Sequence, residues 1–155
     1  MALSPVSRES DFKNSIKKYF LDSLETIEGI PTFFEFLDAT PCDSSGNKLR
    51  KWVIVSFGNC VFGNVSEGQI SVEAYTRKDS EADDLVVLLD TIRNYIIDEN
   101  SINGLHTIPY YNTSVTPWTI VGGMIPFLQP TMGIGEGRDH TRFKDVNILC
   151  KWGGK

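Results

Sequence analysis

The chain is poor in the residues on which most hydrolases and metalloproteins depend. Its two histidines, His106 and His140, are far apart and lie in neither an HxxxH nor an HxH pattern, so no histidine-based metal motif is present. The three cysteines, Cys42, Cys60 and Cys150, are odd in number and widely spaced, with no CxxC pair. They imply neither a disulfide framework nor a zinc site, and read as reduced, mostly buried thiols. No GxSxG or family-like cysteine signature supports a nucleophile such as Cys60 working with His106. Positive charge is not in excess, since the formal net charge is −5. That argues against a general nucleic-acid-coating role, which needs cations to displace counterions. No apolar run approaches the roughly 18–20 residues of a membrane helix. Met1-Ala2-Leu3-Ser4-Pro5 lacks the basic region and apolar core of a signal peptide, so a protein made and kept in a cytosol is expected.

What is present is ordinary globular composition, 41% hydrophobic and 23% charged over 155 residues. It predicts a single domain over 1–155 with a real core. Charge is unevenly spread. From Asp79 to Glu99 seven acidic residues stand against Arg93 alone. From Arg138 to Lys155 five basic residues stand against Asp139 and Asp145. Separation of this kind can orient one subunit against another.

Residues 1–9 read as a flexible arm. From Ser10, the residues Phe12, Ile16, Tyr19, Phe20, Leu24 and Ile27 recur on one helical face, and Gly29 and Pro31 end the helix. Thr32–Leu37, with Phe33, Phe34 and Phe36, reads as a strand, and 38–50 as a long loop. Lys51–Gly58 has apolar residues on both faces, as in a strand covered on both sides. Asn59–Gly68 should turn, with Cys60, Val61 and Phe62 forming either a short extra strand or a cluster under the loop. Gln69–Thr76 alternates as a third strand. A second helix opens near Asp79 or Ser80, where Ser80 and Asp83 have capping-box spacing and the acidic residues suit the positive end of the helix dipole. Its buried stripe is Leu85, Leu88, Leu89, Ile92, Tyr95 and Ile96, and it ends near Asp98.

Leu105–Tyr111 is an expected strand whose Pro109 suits an edge or a bulge. Trp118–Val121 and Met124–Leu128 are apolar and broken by Gly122-Gly123 and Pro126. The segment 129–140 is a Gly-rich loop, and Arg142–Trp152 a long closing strand. The order α-β-β-β-α-β-β-β predicts an α+β domain: a mostly antiparallel β-sheet with two main α-helices packed on one face.

Several features invite a site. Thr131–Arg138 has the spacing G-x-G-x-G and precedes a strand, which does not fit a dinucleotide fingerprint, so it reads as a mobile or partner-ordered loop. Glu73 with the Asp79–Asp84 cluster could form a divalent-metal site, although first-turn carboxylates are explained by capping. Trp52, Trp118 and Trp152 read mainly as core. Tyr110 and Tyr111 are the better interface candidates, because adjacent strand side chains point to opposite faces.

An N-terminal amphipathic helix, a strand, a long loop and a β-hairpin lead through Gln69-Ile70-Ser71-Val72-Glu73-Ala74-Tyr75-Thr76 and Arg77-Lys78-Asp79 into the helix Ala82–Tyr95. This layout resembles the tail terminator (tail completion) proteins of long-tailed bacteriophages, over residues 10–100 and more loosely 141–152. The resemblance implies a non-enzymatic virion protein without cofactor or metal, assembled in the host cytoplasm. It implies a homo-oligomer, a hexameric ring that caps the tail tube. The tail tube protein, the neck or connector protein and a sheath protein would be neighbours, with DNA passing through the lumen unread and no membrane involved. A ring needs heterologous contacts. Asp83, Asp84, Arg142 and Lys144, with Tyr110 and Tyr111, are the expected inter-subunit residues. The alternatives are a small metal-dependent, nuclease-like enzyme using Glu73 and the Asp79–Asp84 cluster, and a monomeric binding module.

Overall fold

The structure is a computed structural model that describes residues 3–153 apart from Phe36, Asp38, Met132 and Arg138. The first helix, α1 (Glu9–Phe20), continues without a break as a π-helix over Leu21–Ile27. Phe12, Ile16, Phe20 and Leu24 are fully buried, as their spacing predicts. Ile27 is not; it is 70% exposed. The wider π turn advances each residue through a smaller rotation, so a residue three positions beyond Leu24 no longer returns to its face. Residues 3–9 are not the free arm expected from sequence. Pro5–Ser7 form a 3₁₀ turn, and the Trp152 indole N–H donates to the Val6 carbonyl at 2.8 Å.

The strands are β1 (Thr32–Phe34), β2 (Lys51–Val61), β3 (Val65–Arg77), β4 (Ile108–Asn112), β5 (Thr119–Gln129), β6 (Gly135–Glu136) and β7 (Thr141–Gly153). They form one sheet in the order β1-β2-β3-β7-β5-β4, with β6 beside β7. Only β1–β2 is parallel. The second helix, α2 (Asp83–Asn94), and α1 both pack on one face, so the fold is α+β with a mostly antiparallel sheet.

The register sorts the side chains. Val53 and Val55 of β2, Ile70, Val72 and Ala74 of β3, and Val146, Ile148, Cys150 and Trp152 of β7 face the helices and are buried. Gly68 belongs to this face because the Phe12 ring lies where a Cβ would stand, 2.4 Å from its Cζ. On the opposite face Trp52 stacks on Tyr75 at 5.3 Å, and Tyr75 on Phe143 at 5.4 Å. With Ile54 also buried, β2 is covered on both sides over 52–55, as its composition predicts.

Several boundaries differ from the sequence reading; the strand expected over Leu105–Tyr111 is β4, Ile108–Asn112. The strand at Thr32 stops at Phe34 because Glu35 takes a left-handed φ of 65°; the Phe36 placed in it lies outside the described residues. Cys60 and Val61 belong to β2 itself, which continues after a bulge between Phe57 and Cys60, so the turn shrinks to Phe62–Asn64. Trp118–Val121 and Met124–Leu128 are not separate pieces: β5 passes through Gly122 and Gly123, and Gly123 is held by the Thr107 methyl at 2.6 Å from a Cβ position. The second helix runs Asp83–Asn94, short of the expected opening near Asp79 or Ser80 and of the expected end near Asp98. As Pro109 suggested, β4 is the last strand of the order and carries a bulge, between Tyr110 and Tyr111.

Candidate functional site

The predicted contact residues fall in two places. The first is the end of the sheet where β3 leaves for α2 and β7 begins. Lys78 and Ala82 both adopt left-handed φ there (59° and 62°), which swings the chain off the strand and onto the helix. The expected capping box does not form, and Ser80 makes no side-chain cap. Asp79 does that work instead. Its Oδ2 accepts from the Leu85 N–H at 2.9 Å and from the Thr76 hydroxyl at 3.1 Å. Burial raises the pKa of this carboxyl, but these bonds, a further one from the Asp84 N–H and the Arg142 charge outweigh it, so the net direction is down.

Arg142 stands at the same place. Its Nη2 donates to the Ser80 carbonyl at 2.7 Å and lies 3.8 Å from Glu136. The acidic start of α2 and the basic start of β7, read from sequence as partners across a subunit boundary, are therefore neighbours in one chain. The reason is topological: β7 pairs with β3 along its whole length, Arg142 opposite Thr76, and α2 starts from the end of β3. Arg142, expected as an inter-subunit contact, already has two partners inside the chain, and its side chain remains partly exposed. Asp83 and Asp84 are exposed on the first turn of α2, and Lys144 is half-buried opposite Ala74, with no ion pair among the described residues. Arg138 and Lys155, counted in the basic segment, lie outside the described residues.

Beside Arg142 is an open polar recess of about 710 Å³, lined among others by Lys78, Glu136, Asp139 and Arg142. Its far wall is the Gly-rich segment, which is more structured than a mobile loop. Gly135 and Glu136 form β6, and a Cβ on Gly135 would stand 2.6 Å from the Phe143 ring. Asp139 and His140 take left-handed φ of 56° each. Asp139 accepts from Lys48 at 2.8 Å and Thr40 at 2.9 Å, so the two long loops, 38–50 and 129–140, are fastened to each other.

The acidic constellation does not assemble. Glu73 points to the face opposite the helices and accepts from the Tyr75 hydroxyl at 2.6 Å, while Asp79 is bound to Thr76 on the helix-facing side. Among the described residues no group of three His, Cys, Asp or Glu side chains is placed to hold a metal ion. His106 lies 3.9 Å from Asp98, and His140 is in the turn before β7.

The second place is the β4–β5 hairpin. Its two tyrosines part, as alternation requires, but not to two interfaces. Tyr110 is fully buried, packed on Trp152 at 5.3 Å with its hydroxyl on the Arg8 carbonyl at 2.9 Å, so it is a core residue and offers nothing to a partner. Burial pushes its phenol well above the usual range, with the Asp11 charge adding to the effect. Tyr111 is half-buried, beside Trp118 at 6.2 Å and under Lys18 at 5.7 Å.

Sequence reasoning passed over what surrounds them. Trp118, Ile120, Val121, Phe127 and Leu128 are all exposed along β5 or at its start. They belong to a run of 29 residues, Thr107 to Gly135, without a single charged side chain. That absence is the signal that marks the surface, and it is legible in the sequence. No protein-family model matches the chain, and no curated protein matches it in sequence.

Proposed function

We propose that the protein is a structural component of a tailed-bacteriophage particle of the tail-terminator kind. In this reading it forms a hexameric ring that caps the tail tube, joins it to the neck or connector, and lets DNA pass through its lumen. It would be assembled in the host cytoplasm and reside in the virion, with a sheath protein as a further neighbour where the tail contracts. The layout that resembles this family, a helix, a strand, a long loop and a hairpin feeding a second helix, is the layout of the fold.

The observation that carries the proposal is the uncharged, apolar and exposed β5. Interface cores are depleted of charge and rich in aromatic and aliphatic side chains, of the kind that β5 exposes in Ile120, Val121, Phe127 and Leu128. A protein that works by presenting such a surface needs no converging catalytic groups. The test is mass in solution, by light scattering and native mass spectrometry, alone and with tail-tube protein. Hexamers that grow with concentration, or a monomer that becomes hexameric on tubes, are expected. A strict monomer that neither assembles nor limits tube length would overturn it.

A further inference from the structure

The face of the sheet turned away from the helices carries a row of neutral polar groups. Ser56 of β2 stands opposite Ser71 of β3, Ser71 opposite Asn147 of β7, and Asn147 opposite Gln129 of β5. Alternation puts Gln69 and Leu149, again opposite each other, in the next row of the same face. These residues line a depression of about 440 Å³, and none of the described side chains that line it is charged. In the strand order β3 and β7 lie between β2 and β5, yet Ser56, Gly58 and Gln129 line the same depression, so the sheet curls around it. The Gln69 side chain lies against Gly58, its Oε1 3.1 Å from where a Cβ would stand. Most of the polar groups are unused. Among the described residues the side chains of Ser56, Gln69, Ser71 and Gln129 make no hydrogen bond, and Asn147 has one long bond, 3.4 Å, to the Pro130 carbonyl. The flanking rows hold charge that is acidic or already paired: Glu73 faces Asp145 on one side, and Lys151 lies 3.5 Å from Glu67 on the other.

We infer that this depression binds a neutral saccharide. The inference goes beyond the assembly reading above and does not depend on it. Hydroxyl and carboxamide groups each donate and accept. Sugar hydroxyls do the same, so one ligand can satisfy several of these side chains at once. Leu149, with Phe127 opposite it on β5, offers an apolar patch to the C–H face of a sugar ring. The volume falls in the range of small-ligand sites. Other ligand classes fit less well. An anion finds no free cation among the described lining residues and meets Glu73 and Asp145 beside the row. A wholly apolar ligand would strip water from two hydroxyls and three carboxamides without replacing its hydrogen bonds. An extended peptide pairs through its main chain at a sheet edge, whereas the groups offered here are side chains in the middle of a face.

The test uses the full chain and saturation-transfer NMR, which reads the ligand and so serves monomer and ring alike. The neutral probes are maltotetraose, cellotetraose and chitotetraose, with dextran to separate a polysaccharide chain from a free oligosaccharide. An oligogalacturonate is the acidic probe and a Gly-Ser repeat peptide the non-saccharide one. At least one neutral saccharide should bind at millimolar concentration, and the acidic probe and the peptide should not. Gln69→Ala and Gln129→Ala alter exposed side chains and should each weaken that binding roughly three- to tenfold. Trp118→Ala, exposed on the β4–β5 hairpin, should leave it unchanged. Failure of every neutral probe, equal binding of the acidic probe or the peptide, or unchanged binding in both Gln variants would overturn the site. Any of these results leaves the assembly reading standing, since that is decided by mass in solution.

Discussion

The Asp11 carboxylate accepts two hydrogen bonds from Thr113, one from the N–H at 3.0 Å and one from the hydroxyl at 2.6 Å. Asp11 is 1% exposed in the first turn of α1, and Thr113 is in the turn between β4 and β5. Ser15, one turn further along the helix, accepts from the Tyr111 N–H at 2.8 Å, and Asn14 donates to the Thr113 hydroxyl at 3.0 Å. The hairpin that carries the uncharged surface is thus bolted to α1 through polar groups, which fixes the direction in which β5 presents its side chains. Asp11→Ala removes a charged acceptor from the part-buried Thr113 N–H and hydroxyl and should cost about 2 kcal/mol, lowering the melting temperature by roughly 4–8 °C. Calorimetry checks the size, and faster amide exchange at Thr113 checks the place. An unchanged melting temperature would remove the bolt.

Asp79→Ala should destabilise by about 1–2 kcal/mol, the usual worth of a helix cap. The effect has a pH signature. Hydrogen bonds and Arg142 hold the folded carboxyl below its ordinary value despite the opposing effect of burial. Its contribution is therefore complete above about pH 5 and fades as pH falls through the unfolded value near 3.9 towards the lower folded one. Melting curves of wild type and variant should lie apart at pH 7 and converge as the pH approaches 3. A constant gap across that range would mean that the carboxylate is not what the helix start depends on.

The same two carboxylates show what was legible beforehand. Periodicity placed both helices, the hairpin β2–β3 and the closing strand, because each has an apolar stripe whose spacing depends only on local geometry. It also put Phe12, Leu85 and Val146 in the core. Asp79 was visible as an acidic helix start, but sequence spacing favoured Ser80 as the cap. The left-handed turn at Ala82 moved the helix start to Asp83 and left Asp79, on the preceding strand exit, as the acceptor. Asp11 could not be found, since its partner is 102 positions away and nothing local announces it. Charge blocks carry the same ambiguity. The acidic segment 79–99 and the basic segment 138–155 look like complementary patches, yet the topology already brings Arg142 to the Ser80 carbonyl of its own chain. Pairing within one chain and between chains leave identical marks on a sequence.

The three thiols should separate cleanly in a labelling experiment. Cys42 is exposed in the loop before β2. Cys60 is pushed up to about 11, chiefly by burial, with Glu9 adding to the rise and Lys13 offsetting it. Burial, with a smaller effect from Cys60, pushes Cys150 up to about 12. Since the thiolate is the reacting form, burial suppresses the reactivity of Cys150 most strongly. At pH 8 a maleimide or aromatic disulfide reagent should modify Cys42 at once, Cys60 slowly, and Cys150 only in denaturant. Rapid modification of Cys150 in the native protein would mean that β7 is not packed as described.

The clasp between the two long loops gives a prediction that separates order from stability. Asp139 receives Lys48 and Thr40 together, and these partners hold its carboxyl below the ordinary value against a small opposing effect of desolvation. Asp139 is solvent-facing, so its charge adds little to the global balance. What it does is tie the 40–48 segment to the turn before β7, beside the recess that contains Arg142. Asp139→Ala should leave the melting temperature nearly unchanged while the 40–48 backbone exchanges amide hydrogen faster and becomes the first site cut by a nonspecific protease. Lys48→Ala should do the same in part, because Thr40 retains its bond to Asp139. Combining the two should add little to Asp139→Ala alone, since both act on one acceptor. Hydrogen exchange resolved by segment reads all three variants. Protection at 40–48 that survives Asp139→Ala would show that the Cys42–Lys48 bridge and the Asp43 turn order the loop by themselves.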